Sequence, residues 1–449
     1  MGHVPWGVCA GVTERQYRDR RSFHVGWAGE VYTENQTWKY FAGIDWASDH
    51  YDLCVVDERG TARGKKQVEH SGDGIGEGIG WLLQMAGGDG SSIAIAIEVP
   101  HGAMVESLIE NNLAVFAINP KQMDRFRDRH TVAGAKDDAR DAFVMADSLR
   151  TDQRCFHRVE LDEPAVLRLR ELSRMADDLQ IDSNRLANQL WEQLRRYYPQ
   201  MLKLGAANED WLWDLLESAP LPGMVGKLKL AKVKAILRAH RIRRITAGEV
   251  LVQLRRPALR LAPGAAEAAS EHVLMLLPRL RLLRQQRAVT AQRIRDILKE
   301  LSAAPPEGEP REHRDAEILL SLPGIGPVIA ATMLAEASQP LRDRDYQALR
   351  IYAGAAPVTK RSGKKKVIVM RHACNERLRN AFYHWARTSM QNDARAKQHY
   401  AQMRARGHSH GRALRGLADR NLAMLMSMLK SGTLFAPARR GGATLAQAG

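Results

Sequence analysis

Tyr40-Phe41-Ala42-Gly43-Ile44-Asp45-Trp46 is an apolar run that closes on a carboxylate, and it reads as a β-strand with an acid at its tip. Tyr51-Asp52-Leu53-Cys54-Val55-Val56-Asp57 follows as a second strand, with a turn at Glu58-Arg59-Gly60 and a third strand over Lys65–Glu69. After a helix around Ile75–Ala86 comes Ser92-Ile93-Ala94-Ile95-Ala96-Ile97-Glu98. This is a continuous apolar strand, as expected of one buried on both faces, and it too ends on a carboxylate. A helix over His101–Asn112, the strand Ala114–Pro120 and polar helical sequence to Leu149 complete an alternation of strands and helices. That alternation predicts a mixed or parallel sheet of about five strands, closing near residue 157.

The sequence beyond this domain changes character. No strand pattern occurs between Glu163 and Leu301; apolar residues recur at helical spacing over Leu167–Leu194 and again over Glu271–Leu301. Two such stretches suit an antiparallel coiled coil or helical arm, and equally an ordinary helical bundle. A Pro/Glu-rich linker at 303–310 leads to a final, mainly helical region. The expected organisation is an extension 1–38, an α/β domain 39–157, a helical region 158–302, the linker 303–310, a C-terminal domain 311–435 and a tail 436–449.

Charge divides along the same boundary. The chain has 449 residues and a formal net charge of +16, which points to a polyanionic partner, nucleic acid before a membrane surface. Residues 1–150 hold 16 basic and 22 acidic side chains, so 51 basic against 29 acidic remain for the rest. Four scattered cysteines (Cys9, Cys54, Cys155, Cys374) form no CxxC pair and support neither a disulfide framework nor a zinc site. No apolar run is long enough to span a membrane, and residues 1–38 lack a hydrophobic signal core.

The acidic domain concentrates its candidates at strand ends. Asp45 and Glu98 lie where open sheets collect ligands, and Asp138 and Asp141, three apart on one helix, share a face. Grouped carboxylates repel unless a cation joins them. Mg²⁺, or Mn²⁺ in its place, suits oxygen ligands, and two such ions clamp the attacking and leaving oxygens of a phosphodiester. The competing reading is four unrelated surface or capping acids.

In the basic part, Leu322-Pro323-Gly324-Ile325-Gly326 separates two helices as a helix-hairpin-helix contact would, with Gly324 and Gly326 letting backbone amides approach a phosphate. A plain turn between helices is the alternative. Lys360-Arg361-Ser362-Gly363-Lys364-Lys365-Lys366 sets one hydroxyl among five cations: a loop serine in a phosphate-binding patch, or a nucleophile that needs an activator from elsewhere. Arg371, Arg377, Arg379 and Arg387, near Tyr383, His384 and Trp385, suit backbone contact with base stacking.

In combination these residues resemble the IS110 group of transposases, in particular the subset around IS116 and IS902. The resemblance spans about residues 39–435 and rests on GIDWA, the strand into Glu98, KDDARDA, LLSLPGIGPVIAATMLAE and AGAAPVTKRSGKKKVIVMRHACNERLRNAFYHWA. It implies a RuvC-like, RNase H-fold domain with a DEDD acid set at Asp45, Glu98, Asp138 and Asp141. The family's last acid motif usually reads K-[ST]-D-x-x-D-A. Here Asp137 replaces the hydroxyl residue, and the spacing from Lys136 and to Asp141 favours Asp138 as the ligand. The resemblance places a DNA-attacking serine at Ser362; Lys364 stands where many relatives carry a second glycine. It further implies a DNA-cutting and rejoining transposase with double-stranded DNA as partner, acting as a homodimer or homotetramer in a bacterial cytoplasm at the nucleoid. Some relatives are guided by a structured bridge RNA encoded by the element, and a guide RNA enters on the resemblance alone. A hydrolytic Holliday-junction nuclease and a non-catalytic DNA-binding protein are the competing functions.

Overall fold

The computed structural model describes residues 38–47, 49–118, 120–130, 138–303, 314–363 and 365–436. The N-terminal extension to residue 37, Lys136 and Asp137, the 304–313 segment, Lys364 and the tail from 437 lie outside the described residues, as do the side chains of Asp138, Lys360, Ser362, Lys365 and Lys366. The chain forms two compact units, Met1–Glu163 and Pro164–Gly449.

The first unit is a six-stranded sheet in the order β3-β2-β1-β4-β5-β6, one strand more than the sequence predicts. The strands are β1 (Tyr40–Trp46), β2 (His50–Asp57), β3 (Ala62–Glu69), β4 (Ile93–Ile97), β5 (Ala114–Ala117) and the two-residue β6 (His157–Arg158). β1, β2 and β3 form an antiparallel meander, whereas β4 pairs parallel to β1 and β5 parallel to β4. This mixed α/β arrangement is consistent with an RNase H-like fold. Helices α1 (Gly72–Met85), α2 (Ala103–Glu110), α3 (Pro120–His130) and α4 (Asp138–Thr151) accompany it.

In β4, strand alternation sorts the two faces by size. Ile93, Ile95 and Ile97 of β4 join Ile44 and Leu53 in one core with Ile79 and Leu82 of α1 and Leu108 of α2. Ala94 and Ala96 face the other way, into a core with Ala142, Met145 and Ala146 of α4. Small residues on this side let α4 come against the sheet. At Gly43 the approach is closest: an added Cβ would stand 1.9 Å from the Ala142 carbonyl oxygen and 2.8 Å from the Ala146 nitrogen. Glycine at this strand position is therefore demanded by the helix backbone lying on β1.

The second unit is mainly helical. Its two longest helices, α5 (Pro164–Tyr197, 34 residues) and α6 (Ala265–Leu301, 37 residues), are each about 50 Å long at 1.5 Å per residue. Leu169 near the start of α5 shares a core with Ile294, Ile297 and Leu298 near the end of α6. Leu186, Leu190 and Leu194 share another with Val273, Leu276 and Leu280 near the start of α6. The pair is thus antiparallel. Trp211, Leu212 and Trp213 of the 210–218 helix fill the second core, and α7 (Asp315–Ser321), α8 (Pro327–Glu336), α9 (Glu376–Asn392) and α10 (His410–Ser431) surround the first. A two-stranded antiparallel sheet, β7 (Val358–Ser362) and β8 (Lys365–Val369), comes between α8 and α9 in the chain. Among the described residues no helix is long and apolar enough to cross a membrane.

Candidate active site and nucleic-acid interface

The β1–β4 register aligns Ile44 with Ile97, so Asp45 and Glu98 are the next residues on adjacent parallel strands. Both continue the alternation of Gly43 and Ala96 and therefore belong to the face covered by α4. Asp141 precedes Ala142, whose carbonyl meets Gly43, and the packing that requires that glycine brings Asp141 to the same end of the sheet. Asp138 lies one helical turn earlier, at the start of α4.

Asp141 is buried, with 2% of its surface exposed. Its Oδ1 accepts a 2.7 Å hydrogen bond from Nε of Arg127, while its Oδ2 is buried with no hydrogen-bond partner among the described residues. The same guanidinium places Nη2 3.8 Å from Glu98 Oε2 and donates from Nη1 to Asp124 Oδ1 at 2.8 Å. These acids, Asp141 through its hydrogen bond first, raise the Arg127 pKa above its ordinary value. Asp45 Oδ1 accepts a 3.1 Å hydrogen bond from the backbone nitrogen of Trp46.

Among the described residues no three His, Cys, Asp or Glu side chains converge closely enough to hold a metal ion. The donor set nevertheless fits one. Three hard oxygen donors occupy one face and one end of the sheet, a buried carboxylate oxygen lacks a partner, and a cation already stands between two of the acids.

In the second unit, Ser362 ends β7 and pairs with Lys365 at the start of β8. Sequence reading leaves this serine in a loop; it belongs instead to a tight hairpin, with Gly363 beyond it at φ +54°. The adjoining Arg361 is exposed. The remaining interface candidates divide. Gly326 starts α8 with open space around it, as a phosphate contact needs, whereas Gly324 (φ +85°) would place a Cβ 2.7 Å from the Ser389 nitrogen of α9. Thr388 Oγ1 donates to the Gly324 carbonyl at 2.7 Å, so that glycine has a sufficient reason in internal packing. Arg377 is held by Asp177 (2.7 Å) and Asp178 (3.7 Å) of α5, Arg371 donates to the Ala356 carbonyl, and Arg379 pairs with Glu376 at 3.0 Å. Trp385 is fully buried, its Nε1 donating to the Pro323 carbonyl, which corrects the stacking role read for it; Tyr383 on the same helix is exposed.

Comparison with known proteins agrees in both units. A DEDD-type IS110 transposase model matches residues 42–199, and the model described as "Transposase IS116/IS110/IS902 family" matches 316–401. The mini-circle putative transposase for IS117 of Streptomyces coelicolor is 36% identical over 408 residues, 87% of this chain and 94% of that relative. The chain belongs to the IS116/IS110/IS902 family of transposases. The putative transposase y4uE of Sinorhizobium fredii is 44% identical over 251 residues, covering 54% of this chain and 69% of its own length. An uncharacterised 44.8 kDa protein of the insertion element IS116 from Streptomyces clavuligerus is 28% identical over 418 residues, 89% and 97% of the two chains. At the level of the family, the chain is a DNA-transposing enzyme whose DEDD domain suggests dependence on a divalent metal.

Sequence reasoning passed over three residues of this transposase's acid site. Asp52 stands directly opposite Asp45 in the β1–β2 register, so its side chain is on the same face. It is 9% exposed and takes contacts from Gln67 Nε2 (3.3 Å) and His50 Nε2 (3.2 Å). His50 also contacts Asp49 at 2.7 Å, and that hydrogen bond is the main cause of its raised pKa. Counting back across the β1–β2 turn gives the pairing of Asp52 with Asp45. Arg127 leaves no such signal, because it lies in a polar helix 14 residues from Asp141 and 29 from Glu98.

Proposed function

We propose that this transposase cuts and rejoins DNA strands through a covalent serine intermediate, using carboxylate-held metal in the first unit and Ser362 in the second. The observation that carries the reading is the alignment of Asp45 and Glu98 on neighbouring strands beneath Asp141, whose second oxygen is buried and unpartnered among the described residues. Asp45, Glu98, Asp138 and Asp141 would hold Mg²⁺ or Mn²⁺. The bound ion supplies Lewis-acid neutralisation of charge at the scissile phosphate.

The chain's own residues account for the rest. Lys360, Arg361 and the lysines at 364–366 bracket Ser362 in sequence and supply the cationic setting for a phosphodiester. The Ser362 hydroxyl attacks phosphorus; a P–O bond to serine forms as the bond to the 3′ oxygen breaks, and the proton lost by serine is balanced by the one gained at the released 3′-OH. A 3′-OH from another strand then reverses these changes, so the phosphodiester is conserved rather than lost to water.

The reading assigns the two functions to separate protomers, the acids of one completing the serine of another in a dimer or tetramer. Apolar side chains exposed on the long helices, among them Ile181 (64%), Met275 (72%) and Leu282 (54%), support such association, with the antiparallel α5–α6 pair as the arm. The +22 excess outside residues 1–150 supports double-stranded DNA as partner and would equally accommodate a guide RNA.

The test is a pair of variants on labelled element-end DNA. Ser362→Ala should abolish the protease-sensitive protein–DNA adduct. Asp45→Asn should lower its formation at least about a thousandfold while DNA binding persists. Cleavage by Ser362→Ala at the unaltered rate would convict water as the nucleophile and favour a hydrolytic nuclease.

A further inference from the structure

Arg127 occupies the ground that a metal ion would need. Its guanidinium contacts Asp141 and Glu98, two of the four candidate ligands, and it is only about a quarter exposed. A carboxylate as buried as Asp141 is unfavourable without a compensating cation, so in the metal-free protein Arg127 supplies that charge. It does so incompletely, since Asp141 Oδ2 has no donor among the described residues.

The residue also has a second place to rest. Asp124, one turn earlier on α3, is largely exposed and already accepts from Nη1 at 2.8 Å. A small rotation of the long arginine side chain toward Asp124 would release both inner carboxylates without stranding the guanidinium. We propose that Arg127 is a resident counter-ion that competes with the divalent metal. On this account the guanidinium holds Glu98 and Asp141 in the metal-free state and retreats to Asp124 when the ion enters. The proposal rests on the metal-site reading above. It adds that metal affinity is set below what the carboxylates alone would give, so that loading responds to whatever draws Arg127 outward, a DNA phosphate included.

The experiment is calorimetric titration of the full chain with Mn²⁺ alone, in the absence of DNA. Arg127→Gln should bind Mn²⁺ roughly tenfold tighter than the unaltered protein, equivalent to removing one competing charge-assisted hydrogen bond. Its metal-free melting temperature should be lower, and most of the loss should be recovered on adding Mn²⁺. Asp124→Asn removes the outer resting place and should weaken binding, an effect that disappears in the Arg127→Gln background if it acts through the arginine. Equal or weaker Mn²⁺ binding by Arg127→Gln would overturn the proposal and leave the metal site standing. No Mn²⁺ binding by either protein would overturn the metal reading and the proposal together. Should Arg127→Gln fail to fold, the Arg127 Nε–H resonance of the unaltered chain, assigned by its loss in Arg127→Lys, decides the matter. It should shift and exchange faster at saturating Mg²⁺; an unmoved resonance overturns the proposal.

Discussion

Asp45 and Ser362 each stand at the end of a β-strand, but what surrounds the two strands differs. β1 is paired on one side with β2 and on the other with β4, and the backbone of α4 rests on its glycine. β7 has a single partner, β8, whose Ile368 is 65% exposed. A two-stranded ribbon gains little stability of its own, whereas a central strand under a helix is fixed from three directions. The contrast matches the proposed division of work. Ligands for a metal must each hold position to within a few tenths of an ångström, while a nucleophile that joins one strand and then passes it to another gains from a mount with fewer constraints.

Three substitutions or conditions would break or sharpen that contrast. The largest effect belongs to Gly43→Ala. With only 1.9 Å between the new Cβ and the Ala142 oxygen, α4 must lift from β1 at a cost of about 3 kcal/mol or more. Urea unfolding should show an earlier transition for the first unit and an unchanged one for the second. A variant as stable as the parent would mean that α4 does not lie on β1 as described.

Alkaline pH gives an intermediate effect, again confined to the first unit. Burial pushes the Cys54 thiol up to about 11 from an ordinary 9.0. The folded state therefore keeps its proton when the unfolded chain has lost it. The difference costs nothing below about pH 9 and becomes a growing loss of stability as pH rises through the unfolded pKa toward 11, where folding stability should have fallen by up to about 3 kcal/mol. Cys54→Ala should flatten that part of the pH–stability curve, and an unchanged slope would show that the thiol is not sealed beneath the sheet.

The smallest effect is expected at the hairpin. Gly363 has φ +54° but nothing within 4 Å of a new Cβ, so Gly363→Ala costs backbone strain alone, about 1 kcal/mol. Amide exchange in β7 and β8 should quicken several-fold while global unfolding stays put. A global loss of stability would contradict the picture of a lightly attached ribbon.

The legibility of these regions follows their burial. β1, β2, β4 and β5 declare themselves because strands buried on both faces are written in isoleucine, valine and alanine. The edge strand β3 is longer than its legible Lys65–Glu69 part, since its outer residues are mostly exposed and polar. The β7–β8 ribbon is hidden by its cations, because Lys360 to Lys366 has the composition of a solvated charge run and nothing apolar marks the turn. Trp385 misleads in the opposite sense: arginines on either side in sequence suggest a stacking surface, yet helical periodicity turns the indole inward to Pro323.

The sequence by itself determined where the acids sit along the chain, that two of them end strands, that a basic helical half follows an acidic α/β domain, and which family the motifs resemble. Those properties are local, fixed by composition, spacing and the alternation of side chains. Only the tertiary structure decided that Asp52 faces Asp45 across the meander, that Gly43 is the seat of α4, and that Arg127 reaches from another helix into the carboxylates. Each depends on residues distant in sequence meeting through strand register or helix docking. Such meetings are selected by the packing energy of the whole unit, which no single stretch of sequence carries.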